Sequence, residues 1–145
     1  MIKPVHVWEK DQIVVWPHRV APEKDLAMFL LIRNIYREAY PNDKVSFVVA
    51  KEAASTKGEY YSLLSRAKVV VSTAHQETFG IAMLEGLNSG CFPVVPDRLS
   101  YRELYPRNFR HDCPSKAVKL IKQFLGEQSI CPLTYTPDLS WIGEL

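Results

Sequence analysis

Apolar and polar positions follow two rhythms along this chain. Short, mainly apolar runs recur at 13–16, 45–49, 68–72 and 92–95. Their Val- and Ile-rich character predicts strands buried on both faces rather than half-solvated ones. Between these runs the period lengthens. Over 24–39, Met28, Leu31, Ile32, Ile35 and Ala39 recur at helical spacing, and Pro41-Asn42-Asp43 ends the pattern. Residues 50–57 read as a polar loop. Tyr60, Leu63, Leu64 and Ala67 then mark a short amphipathic helix. A loop at 73–79 opens into a helix over 80–89, and one helical turn is expected at 101–104. A small fifth strand is expected at 108–110. Pro114 suits the first position of a helix running to Leu125, with Ala117, Leu120, Ile121 and Phe124 on one face and Gly126 behind it.

This alternation predicts an α/β fold, a Rossmann-like doubly wound parallel sheet forming a single domain over 1–131, with a C-terminal tail at 132–145 that shows no period. Doubly wound sheets bind ligands beyond the carboxyl ends of their strands. The loops 17–24, 50–57, 73–80 and 97–101 are therefore expected to share one rim.

Composition narrows the function classes. The chain has 145 residues, 47% hydrophobic and 23% charged, which suits one globular domain. No apolar run approaches the ~20 residues that span a bilayer, and residues 1–4 lack the apolar core of a secretory signal, so a cytoplasmic location is expected. Lys and Arg total 18 against 16 Asp and Glu. That balance gives no electrostatic case for nucleic-acid or membrane binding. Cys91, Cys113 and Cys131 are widely spaced and read as reduced thiols, and no metal is expected.

Two loops carry the chemistry. The segment His75-Gln76-Glu77-Thr78-Phe79-Gly80-Ile81 follows a buried strand and opens a helix that contains Glu85. The first N–H groups of a helix lack internal partners and lie at the positive end of its dipole, so Phe79, Gly80 and Ile81 can present backbone donors to a phosphate. Glu77 and Glu85 can flank one ligand and accept from its hydroxyl groups. The second loop, Trp16 to Asp25, holds Arg19 and Lys24 between Pro17 and Pro22. Guanidinium and ammonium groups suit a diphosphate. Taken singly, each glutamate also reads as a solvated charge and the basic loop as a solvated loop; their convergence on one rim favours an anion site. A sugar nucleotide, a diphosphate between two polyols, fits the combination.

In order, His18-Arg19-x4-Lys24, Glu77-Thr78-Phe79-Gly80-x4-Glu85-Gly86 and Gly90-Cys91-Phe92-Pro93-Val94-Val95-Pro96 resemble the C-terminal, donor-binding domain of GT-B retaining glycosyltransferases of family 4. Residues 69–75 and 96–106 further resemble the branch that contains tRNA-queuosine mannosyltransferases. The resemblance covers about residues 12 to 125. It implies a hexose transferase using a nucleotide diphosphate sugar. Arg19 and Lys24 would neutralise the diphosphate, Glu77 would contact the donor sugar, Phe79, Gly80 and Ile81 would offer backbone donors, and Glu85 would hold the ribose. It implies no cofactor, no metal and no protein nucleophile. It also implies an acceptor-binding domain or partner chain, since such enzymes are built from two domains of this size. A non-catalytic nucleotide-sugar-binding module and a transferase acting on a modified nucleic-acid base are the alternatives. Two departures stand out: His18 occupies a position that is glycine in the family, and the loop at 50–57 carries no glycine until Gly58. His18 and His75 read as loop residues, and Tyr60, Tyr61 and Trp141 as packing residues. Ser72, His75 and Glu77 lack the nucleophile elbow of a hydrolase.

Overall fold

The computed structural model describes residues 10–75, 80–129 and 131, with the backbone alone at 99 and 100. The expected tail at 132–145, with Trp141, lies outside them. Five strands form one parallel sheet: β1 (Ile13–Trp16), β2 (Ser46–Val49), β3 (Val69–Val71), β4 (Phe92–Pro96) and β5 (Arg110–His111), in the order β2-β1-β3-β4-β5. The helices are α1 (Leu26–Ala39), α2 (Ala50–Ala53), α3 (Lys57–Arg66), α4 (Ile81–Asn88), α5 (Leu99–Arg102) and α6 (Pro114–Leu125). Helix α1 packs on α6, while α4 packs on β3, β4 and α3. Right-handed crossovers place these two groups on opposite faces of the sheet, which makes the fold doubly wound and Rossmann-like.

The Val-rich strands β1, β3 and β4 are buried along their whole length, as runs without polar alternation should be. β2 differs from the expectation of a buried strand. Among the described residues it pairs only with β1 and is half exposed, because it forms the edge of the sheet. Pro93 stands opposite Val70, ahead of the level at which β5 begins to pair through Val95 and Pro96, so its missing N–H interrupts no bond to β5.

Three further expectations shift. The buried face of α1 is Phe29, Ile32 and Tyr36, whereas Leu31 is 44% exposed and Ala39 is exposed. The aromatic side chains win the interior: Phe29 stacks on Trp16, and Tyr36 meets Phe47. The polar stretch after β2 begins with the helical turn α2 instead of a loop. The segment expected as a strand at 108–110 is a 3-10 turn over Arg107–Phe109, and β5 starts only at Arg110. Phe109 is drawn inward to stack on Phe124, which also stacks on Phe92.

At the amino-terminal end of the sheet, buried lysines close helix ends. Lys10 Nζ donates to the carbonyls of Ser65, Ala67 and Ser89 at 2.9, 3.0 and 2.8 Å. These carbonyls lie where α3 and α4 finish. Lys68 Nζ donates to the Leu125 carbonyl at the end of α6, at 2.9 Å. Both cations meet the negative ends of helix dipoles. Burial pushes both amines below the usual lysine range.

Gly86 seats α4 on the sheet. A Cβ there would stand 2.9 Å from Val70 Cγ1 and 3.0 Å from its Cβ and Cγ2. Helix propensity favours alanine over glycine by about 1 kcal/mol. The clash outweighs it, because Val70 is fully buried in the sheet centre and no rotation of it clears the contact. Gly86→Ala is expected to lower stability by about 1–2 kcal/mol, read from the urea midpoint.

Candidate functional site

The strand order reverses between β1 and β3, and the loops that leave their carboxyl ends bound the crevice where doubly wound sheets take ligands. These two loops are bonded into one unit. The Thr73 hydroxyl accepts from Trp16 Nε1 at 2.9 Å and lies 2.7 and 2.8 Å from the carbonyls of Lys24 and Asp25. The His75 amide donates to the Glu23 carbonyl at 2.8 Å, and His75 Nε2 lies 2.7 Å from Asp25 Oδ2. Asp25 adopts a left-handed conformation (φ 56°), and its carboxylate accepts from the Met28 amide to cap α1. Aspartate tolerates that conformation better than most side chains.

Beneath the rim runs a buried polar chain. His18 Nε2 lies 2.8 Å from Ser72 Oγ, which lies 2.8 Å from the Tyr101 hydroxyl and accepts from the Ala74 amide. His18 is 3% exposed. Burial, then the nearby Lys24 charge, pushes its imidazole down to about 4. The histidine therefore does not crowd the rim; it turns inward and supports the loop. Arg98, from the loop after β4, donates to the Ala74 carbonyl and ties a third loop to the same place.

The two cations differ. The Arg19 side chain is 70% exposed and meets Glu23 at 3.1 Å, an i,i+4 pair. Lys24 ends the 3-10 turn Pro22–Lys24 and is half buried, close enough to His18 for its charge to be felt there. Gly80 is the N-cap of α4, in the left-handed region (φ 64°) that favours glycine, and Ile81 begins the helix. Glu77 and Phe79 lie outside the described residues.

Glu85 is half buried and faces α3. Tyr61 donates to its Oε2 at 2.8 Å, and Tyr60 to its Oε1 at 3.4 Å. A cleft of about 410 Å³ opens beside it, lined by Lys51, Ser55, Thr56, Lys57 and Tyr60 among others. The Lys51 ammonium sits 5.1 Å above the Tyr60 ring. The sequence reading missed this cleft. The stretch 50–57 has no motif, and Tyr60 and Tyr61 read as packing residues. No spacing within one helix shows that two phenols meet a carboxylate on another. Among the described residues no group of three or more His, Cys, Asp and Glu side chains could hold a metal. Cys91, Cys113 and Cys131 are not joined in disulfides. No helix among the described residues is long and apolar enough to cross a membrane.

The fold is that of a GT-B glycosyltransferase domain, in agreement with the motif resemblance. The chain is similar to the tRNA-queuosine alpha-mannosyltransferase of Drosophila melanogaster, 29% identical over 137 residues that cover 80% of this chain and 36% of the relative. Among solved structures it superposes on S. aureus TarM in complex with fondaparinux, alpha-GlcNAc-glycerol and UDP, with a TM-score of 0.71 and 17% identity, over 88% of this chain and 31% of TarM. A second TarM crystal structure gives a TM-score of 0.70 at 16% identity, over 86% of this chain and 30% of that one. The chain thus spans about a third of the length of these proteins. No family model matches it.

Proposed function

We propose that the chain is the donor-binding half of a retaining glycosyltransferase that moves a hexose from a nucleotide diphosphate sugar. The observation that carries this reading is the switch point. There the Arg19–Lys24 loop is bonded through Thr73 and His75 to the loop after β3, and α4, which begins at Ile81 behind its Gly80 N-cap, carries Glu85. The diphosphate lies at Arg19, Lys24 and the amides of Phe79, Gly80 and Ile81. Glu85 accepts from the ribose hydroxyls at the edge of the 410 Å³ cleft, and Glu77 contacts the hexose. As the glycosidic bond breaks, charge grows on the departing diphosphate, and cations and helix-end amides stabilise it. No metal or cofactor is required in this scheme. The acceptor half lies in a further domain or a partner chain.

The name of the Drosophila relative supports a modified tRNA base as acceptor. A salt-dependent shift of tRNA by the protein joined to its acceptor half supports that choice. No binding at low salt rejects it.

The donor reading is tested by calorimetry with UDP, GDP and ADP. One of these is expected to bind at micromolar Kd, with affinity falling as salt rises. Absence of binding by all three at millimolar concentration overturns the reading. Hydrolysis of the matching nucleotide sugar separates a catalytic half from a binding module.

A further inference from the structure

We infer that Tyr61, aided by Tyr60, is a positioning residue that holds the Glu85 carboxylate for a vicinal diol and thereby sets a preference for ribose over deoxyribose. This rests on the proposed role of Glu85. A glutamate midway along a helix has three freely turning side-chain bonds, so an unheld carboxylate samples many positions. Here two elements remove that freedom. Gly86 lets α4 sit against Val70, which fixes the helix height. From α3, the Tyr61 hydroxyl reaches Oε2 at 2.8 Å and the Tyr60 hydroxyl reaches Oε1 at 3.4 Å, one phenol to each oxygen.

The two rings are tilted neighbours, with centroids 5.5 Å apart, and Tyr60 is itself buried and overlaid by Lys51. The hydrogen bond to Glu85, then its charge, raises the Tyr61 phenol above its usual range; burial, then the Glu85 charge, does the same for Tyr60. Both remain protonated donors. An ionised carboxylate has about four acceptor positions and no proton to give. Two are taken from the α3 side. The remaining ones can accept from donors in the cleft that Glu85 lines, and two adjacent hydroxyl groups can supply them.

The test uses the chain with UDP, GDP or ADP, whichever binds, beside its 2′-deoxy and 3′-deoxy forms. The parent is expected to prefer the ribonucleotide by roughly 10-fold or more. Tyr61→Phe removes only the hydroxyl and is expected to fold with an unchanged melting temperature to within a few degrees. It should bind the ribonucleotide about 5-fold or more weakly while the deoxy forms change little, so the preference shrinks. Tyr60→Phe should show a smaller effect in the same direction, because its bond is longer. Glu85→Gln serves as the reference. If Glu85→Gln loses the preference and Tyr61→Phe keeps it, the positioning role is overturned and the ribose-binding role of Glu85 stands. If Tyr61→Phe weakens all three nucleotides equally, the tyrosine is only structural and the inference fails. If Glu85→Gln leaves the preference intact, the ribose role itself falls, and the inference with it.

Discussion

Replacing Lys24 with alanine is expected to weaken nucleoside diphosphate binding by roughly 10- to 100-fold. A charge-assisted hydrogen bond to a phosphate contributes about 1.5–3 kcal/mol, and each 1.4 kcal/mol is a factor of ten in Kd. In the proposed site Lys24 can deliver that amount. It is half buried at the rim, on a turn whose backbone is fixed by Thr73, so little ordering is needed when the anion arrives. Arg19 is more exposed, with 70% of its side chain open to solvent, so its charge is more strongly screened. Arg19→Ala is therefore expected to cost less, roughly 3- to 5-fold. Calorimetry at fixed low salt checks both, and equal affinity of Lys24→Ala and parent removes this lysine from the site.

Acid is expected to destabilise the fold through His18. In the unfolded chain its imidazole titrates near 6.5, while in the folded protein burial, reinforced by Lys24, pushes it down to about 4. Between those values the unfolded state binds a proton that the native state refuses. Stability is thus fully present above pH 6.5 and falls as pH drops toward 4, by about 3 kcal/mol across the window. His111, also lowered mainly by burial, acts in the same direction. Urea unfolding from pH 7.5 to 4.5 should show the decline, and His18→Asn, which keeps a polar partner for Ser72, should flatten it. An unchanged slope in that variant assigns the acid sensitivity to other groups.

The parallel sheet and the shared rim were legible because they follow from local signals: apolar runs of strand length, helical spacing, Pro114 at a helix start and Gly126 at its end. What the sequence did not disclose depends on contacts between distant residues. Nothing in 24–39 shows that Phe29 and Tyr36 outcompete Leu31 for the interior; that follows from Trp16 and Phe47 waiting there. The half-exposure of β2 follows from its place at the edge. For the site, the basic loop and the Gly80 helix start were readable from residue type and position, and Glu85 from its spacing. The inward turn of His18 was not, since a histidine between prolines in a polar loop reads as a surface residue, whereas the side chain finds Ser72 54 residues away. The Tyr60–Tyr61–Glu85 cluster was equally hidden, as it bridges two helices and its tyrosines lie 25 and 24 residues from Glu85 in the chain.

The Thr73 hydroxyl, meeting Trp16, Lys24 and Asp25 at once, makes the two rim loops a single inheritance. Residues there cannot drift one at a time. An exchange tolerated at one end of this junction changes what is tolerated at the other, so paired substitutions across it will depart from the sum of their separate effects.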